Sequence, residues 1–295
     1  MSGPRFEALA GDLAFPEGLA WSAPESCLYF TSVQGGGLHR LAWGGGAPEL
    51  VAQLDGGANN CALDAAGRVL VTRNGGIDAR LGPMARLESG RPLPPTRPAP
   101  PGLVAVAADG AVEALVEGPL NAPNDLAVGP DGALYLTDPG DPFLERPPEP
   151  RVMRLGGDGE LTVFAAGFRY CNGIAADDEA LLVTERGGAL RLPLDGGCEE
   201  AIGPEAVPTP DGIALDEEGR LYVAGGFEGR VHIVDGGREV DFLEAPAPVA
   251  RITNCCFGGP DRRSLFVTDA AGWSLGVWHG MPVPGREPPA WEGRR

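Results

Sequence analysis

Six residues of this 295-residue chain share a phase that could do chemistry: Glu17, Asn60, Asn124, Asn172, Asp211 and Asn254. Each carries a side-chain oxygen, and each stands within a residue or two of an apolar run that ends in a turn. The carboxylates of Glu17 and Asp211 and the carboxamides of Asn124 and Asn172, brought face to face, would need a proton or a cation between them. An all-oxygen set suits a hard divalent ion, calcium first, with magnesium or manganese as alternatives. Zinc fits less well, because His39, His232 and His279 lie at outer-strand or tail positions and read as structural. Asn60 and Asn254 are left to hydrogen-bond a ligand or to satisfy backbone groups at strand ends.

What must position these residues is a repeat. The runs GLAWSAPESCLYFTS from Gly18, CALDAAGRVLVTR from Cys61, DLAVGPDGALYLTD from Asp125, GIAADDEALLVTE from Gly173, GIALDEEGRLYVAG from Gly212 and CCFGGPDRRSLFVTD from Cys255 follow one pattern. They return at intervals of roughly 40–50 residues, with one longer step between Asn60 and Asn124. This spacing predicts an all-β, six-bladed β-propeller occupying residues 1–295 as one domain. Equivalent positions in a closed ring face one axis, so the six polar residues should meet in a central channel. Asn172-Gly173 and Asp211-Gly212 taken alone fit ordinary hairpin turns. Pro130-Asp131-Gly132 and Glu217-Glu218-Gly219 already supply the turns of their repeats, however, which puts the upstream residue at the start of the innermost strand.

The expected blades run 13–50, 51–107, 108–160, 161–200, 201–240 and 241–281, with residues 5–10 as an edge strand closing the ring. The proline-rich stretch 79–102 reads as a loop outside the blade pattern, over the channel mouth. The tail from Pro282 reads as loosely ordered.

Composition excludes several classes. The net charge is −18 and all 23 basic residues are arginine. Without lysine there is no side-chain Schiff base, and without a basic stripe no nucleic-acid partner is expected. No apolar run approaches the roughly 18 residues of a membrane span, and the N-terminus lacks a signal core, so no membrane partner and a cytoplasmic location are expected. The six cysteines form no CxxC pair and read as small space-filling thiols. The absence of GxSxG, and of any histidine in the ring phase, disfavours a Ser-His-Asp hydrolase.

The segments FPEGLAW, LNAPNDLAVGPDGALYLTDP, NGIA, TPDGIALDEEGRLYVA and NCCFGGPDRRSLFVTDA resemble the senescence-marker-protein/gluconolactonase family, the regucalcin-like lactonases, over essentially the whole chain. The resemblance implies a six-bladed propeller with one divalent cation in its channel and hydrolysis of a lactone. It places Glu17, Asn172 and Asp211 as ligands, with Asn124 a ligand as in related calcium-dependent phosphotriesterases. Animal sugar-lactone members carry an arginine two residues before the Asn-Asp pair, where this chain has Ala122. The acidic substrate-binding residue of those members has no clear counterpart among Asp138, Asp141 and Glu145, so a less polar lactone also fits.

The expected chemistry is cation-assisted attack of water on a lactone carbonyl, with Asp211 as general base. Arg169, three residues before Asn172, is the candidate for orienting substrate or neutralising the product carboxylate, with Asn60 and Asn254 donating to substrate hydroxyls. Rival readings are a phosphotriesterase-like hydrolase, a metal-free strictosidine-synthase-like enzyme and a non-enzymatic calcium-binding propeller.

Overall fold

The computed structural model describes residues 3–81, 93–204, 206–246 and 251–293. Strand β1 (Arg5–Ala10) leads into the first sheet, β2 (Pro16–Ser22), β3 (Cys27–Ser32), β4 (Gly37–Ala42) and β5 (Glu49–Gln53). The second comprises β6 (Ala58–Leu63), β7 (Val69–Arg73), β8 (Gly102–Val106) and β9 (Val112–Glu117). The third holds β10 (Leu126–Val128), β11 (Leu134–Asp138), β12 (Arg151–Leu155) and β13 (Leu161–Ala166). The fourth holds β14 (Ile174–Ala176), β15 (Ala180–Glu185), β16 (Gly188–Pro193) and β17 (Glu199–Ile202). The fifth holds β18 (Ile213–Leu215), β19 (Leu221–Ala224), β20 (Arg230–Asp235) and β21 (Arg238–Glu244). The last joins β22 (Ile252–Gly258), β23 (Ser264–Asp269) and β24 (Ser274–His279) to β1.

Each sheet is antiparallel, and the first strand of each packs beside the first strand of the next, with β22 returning to β2. The arrangement is a six-bladed β-propeller, closed as expected by β1 pairing with β24. The second strands carry its core. CLYFTS, LYLTD, ALLVTE and SLFVTD are buried at every position, because a strand inside a blade is covered by the blades on both sides. The turns entering these strands bend at Gly132 and Gly219, whose positive φ values of 76° and 83° favour glycine.

Blade borders fall later than sequence pattern suggests. VEALVE (β9) belongs to the second blade, not the third, and β13 and β21 likewise complete the blades before them. These outer strands face solvent and have lost the apolar alternation that would mark them; only backbone pairing assigns them.

Of the 79–102 stretch, residues 82–92 lie outside the described residues, and Ala79–Leu81 form a single 3-10 turn. Leu93 packs with Phe15, Val33, Ala79 and Ala270, so the described part of this stretch joins three blades. The described part of the tail, to residue 293, is ordered, contrary to expectation. Gly285 bridges to Asp216, Trp291 bridges to Asp64, and the Trp291 indole is buried among Leu70, Leu103 and Leu126. Burying so large an aromatic surface outweighs the fraying expected of a chain end. No helix among the described residues is long and apolar enough to cross a membrane.

Threonines near the ends of the second strands tie the blades together. The Thr72 hydroxyl accepts the Asn60 N–H (2.9 Å) and donates to the Asn124 carbonyl one blade on (2.5 Å). Thr137 accepts from Asp125 N–H (3.0 Å) and donates to the Asn172 carbonyl (2.5 Å). Thr184 accepts from Gly173 N–H (2.6 Å) and donates to the Asp211 carbonyl (2.9 Å). Thr31 donates to the Asn59 carbonyl. The fifth blade has Ala224 at this place, and Thr253, bonded to Thr268 at 3.1 Å, turns back to the Pro16 carbonyl at 3.4 Å. Thr137→Val should cost about 1–3 kcal/mol, since it leaves a buried N–H and a buried carbonyl unpaired, whereas Thr137→Ser should retain most of the stability. Urea unfolding measures this, and a valine variant as stable as wild type would refute the link.

Candidate active site

The glycine after Glu17, Asn172 and Asp211 is set by the neighbouring blade rather than by a turn. A Cβ on Gly18 would strike Asn60, one on Gly173 the Asp211 carbonyl, and one on Gly212 the Asn254 side chain. None of the three has a left-handed φ. The innermost strands therefore converge at Glu17, Asn60, Asn172, Asp211 and Asn254, and the side chains meet there.

Glu17, Asp125 and Asp211 are all buried. Burial pushes Asp211 up to about 7; Asp125 adds to the rise, while Arg251 and a hydrogen bond from Asn172 oppose it. Burial likewise pushes Asp125 up to about 7 against hydrogen bonds from Asn60 and Asn254. Glu17 lies well above the usual carboxylate range through burial and the negative charges of Asp211 and Asp125, opposed by Arg251 and Thr253. Three acids thus feel one another within one channel mouth.

The carboxamides divide into two roles. Asn254 Nδ2 lies 3.3 Å from Asp125 Oδ2, and Asn60 also donates to Asp125. Their own oxygens turn back to the backbone, Asn60 Oδ1 accepting Cys61 N–H at 2.6 Å and Asn254 Oδ1 accepting Cys255 N–H at 2.9 Å. Asn172 donates to Asp211 while its buried Oδ1 has no hydrogen-bond donor. An orphaned buried carbonyl oxygen beside two crowded carboxylates fits a hard cation. Asn124, half-buried, is fixed by its backbone, its N–H donating to the Thr137 carbonyl at 2.8 Å. Among the described residues no group of three or more His, Cys, Asp or Glu side chains is arranged to hold a metal, which leaves the mixed acid and carboxamide set as the candidate.

Acids at the ends of second strands hang the preceding loops over the mouth. Asp138 accepts the Asn121 and Ala122 N–H groups, Glu185 those of Arg169 and Tyr170, and Asp269 that of Arg251. Arg169 is exposed; its guanidinium meets Glu185 at 3.4 Å and the Arg186 carbonyl at 2.7 Å. Arg251, at the same phase three residues before Asn254, instead acts on Glu17 and Asp211, and its guanidinium lies 4.1 Å from the Phe227 ring centroid. Tyr170 is close enough to Asp211 and Glu17 that, with burial as the larger cause, its phenol is pushed well above the ordinary range and stays protonated. Asp125, Tyr170 and Arg251 are the additions that the sequence reading missed as site residues; for Arg251 the shared phase with Arg169 was the available signal.

The histidines are elsewhere. His39 stacks on Phe30, His232 is held between Glu228 and Glu239, and His279 lies beside Ser264 and Glu7. All six cysteines are free thiols.

Residues 15–271 match the family described as SMP-30/Gluconolactonase/LRE-like region. The chain belongs to this family. Within it, the chain is 27% identical over 275 residues to pentonolactonase XacC of Haloferax volcanii, covering 87% of this chain and 81% of that protein. Its fold is similar to a calcium-binding regucalcin of Agrobacterium tumefaciens (TM-score 0.77, 21% identity, 98% and 97% of the two chains). It is also similar to a Xanthomonas campestris gluconolactonase (TM-score 0.74, 23% identity, 95% and 90%).

The raised carboxylates give a pH dependence with a defined sign. Asp125 and Asp211 titrate near 7 when folded without a cation, against about 4 when unfolded. The fold favours their protonated forms, so the stability they contribute is complete below about pH 4 and is lost as pH rises through about 7. In chelator the SMP-30/gluconolactonase-like chain should therefore melt at least roughly 5 °C lower at pH 8 than at pH 5, with saturating calcium narrowing the gap. Equal melting temperatures would show that these acids do not share a buried site.

Proposed function

We propose that the chain opens a lactone by hydrolysis at the channel mouth, with a divalent cation held by Glu17, Asn124, Asn172 and Asp211. The carrying observation is the buried Glu17–Asp211 pair beside the donor-less Asn172 Oδ1. Calcium suits the oxygen donors best; magnesium, manganese and zinc are alternatives. When bound, the cation would supply Lewis acidity toward the carbonyl oxygen. Asp211 accepts the proton of the attacking water, since it is the buried carboxylate that Asn172 donates to and whose affinity for a proton is raised. Asp125, braced by Asn60 and Asn254, orders the floor of the mouth, and each of those asparagines keeps a second amide N–H for a substrate hydroxyl. Tyr170 presents a neutral phenol as a hydrogen-bond donor. Arg169 serves the rim.

Family membership and the pentonolactonase relative support lactone hydrolysis as the reaction class. Several exposed apolar side chains, Leu81, Phe143, Leu144 and Phe227, lie on loops that follow second strands, at the end of the propeller where Glu17 and Asp211 sit. That rim supports a lactone with an apolar flank rather than a bare polyol.

The test is a panel of aldonolactones, aliphatic lactones and phosphotriesters, assayed with chelator and then with each cation restored. Lactone turnover should disappear on chelation and return with calcium. Asp211→Asn should lower kcat by about two to four decades, and Glu17→Gln should weaken calcium binding measured by calorimetry. Full turnover in chelator would overturn the cation-dependent reading, and faster phosphotriester than lactone turnover would overturn the substrate class.

A further inference from the structure

We infer that Arg251, seated on the Phe227 ring, recognises the carboxylate that ring opening creates; this rests on the lactone reading of the site. In the reaction, water adds its oxygen to the acyl carbon and the ring C–O bond breaks. The former ring oxygen leaves as a hydroxyl, and the new carboxylic acid loses its proton to solvent at neutral pH. A neutral ligand becomes an anion inside a protein of net charge −18, at a mouth already lined by Glu17, Asp125 and Asp211. Those acids repel that anion, and a positive side chain beside them offsets the repulsion.

Two arginines occupy the same repeat phase at this mouth, and their surroundings separate them. Arg169 lies against the outside of its own loop, on Glu185 and the Arg186 carbonyl, with its side chain 65% exposed. The backbone of Arg251 is pinned by Asp269, whose Oδ1 also receives the Ala271 and Gly272 N–H groups. Its guanidinium is spread 4.1 Å over Phe227, which restricts its orientation, and its positive charge is felt by Glu17, Asp211 and Tyr170. A planar guanidinium held over an aromatic face, with its charge felt by the acids of the site, is suited to bidentate recognition of a carboxylate. The Tyr170 phenol, also felt by Arg251, adds a neutral donor to the same wall. A neutral lactone carries no charge for the guanidinium, so the interaction discriminates product and anionic analogues from substrate.

The experiment titrates gluconate and 4-hydroxybutyrate by calorimetry into the full chain loaded with calcium, alongside KM for the corresponding neutral lactones. Arg251→Gln should weaken carboxylate binding and product inhibition at least about tenfold, and by clearly more than it changes lactone KM. Arg251→Lys should recover part of the affinity, and Phe227→Leu should give an intermediate loss. Unchanged carboxylate affinity in Arg251→Gln overturns the inference, as does an equal loss for carboxylate and lactone, or absence of carboxylate binding by wild type. Circular dichroism and melting of the lysine variant separate lost recognition from lost fold. Lactone turnover by wild type is read in the same samples and decides the parent reading independently.

Discussion

The hydroxyl of a threonine, shared between two blades, is the contact on which the site depends. At Thr72, Thr137 and Thr184 one oxygen accepts an amide from its own innermost strand and donates to the carbonyl of Asn124, Asn172 or Asp211 in the next. The backbones of Asn124, Asn172 and Asp211 are thus fixed by a neighbour, not by their own blades alone. Side chains projecting from such anchored points lose little further freedom when they converge, which is what a preorganised polar site requires. Valine has the right shape for a buried strand end but can make neither bond.

Convergence has an electrostatic cost that the surrounding residues only partly relieve. Asp125 is satisfied from both sides by Asn60 and Asn254, yet burial still keeps it near 7. Glu17 and Asp211 have Arg251 as their shared cation and remain raised. A buried carboxylate pair left in this state is a stability deficit at neutral pH, and a divalent ion is the chemical species whose charge would offset both members together. The unpartnered Asn172 oxygen lies in the same place.

How much of this is legible from residues alone follows from where the forces act. The ring residues show in the sequence because blade proximity forces glycine beside Glu17, Asn172 and Asp211, which leaves a repeated acid-or-amide–glycine pair. The second strands show because they are buried throughout. The outer strands β9, β13 and β21 do not, because solvent-facing strands keep their pairing and lose their pattern. Arg169 and Arg251 are indistinguishable by phase. The choice between them lies in what each reaches: Arg169 the Arg186 carbonyl of its own blade, Arg251 the Phe227 ring of the preceding blade. Asp125 hid behind Asn124, since alternation along a strand gives no reason to expect neighbours to serve one site. The tail was misjudged because its proline content concealed the burial of Trp291.

That tail also binds the ring. Its bridges at Asp216 and Asp64 join the fifth and second blades, and between them Arg286 pairs with Asp178 of the fourth blade while Trp291 packs on Leu126 of the third. Both anchor points follow the far ends of innermost strands, away from Glu17. The tail is thus a strap that ties together blades sharing no strand pairing, bracing the ring at the end that carries none of the acids.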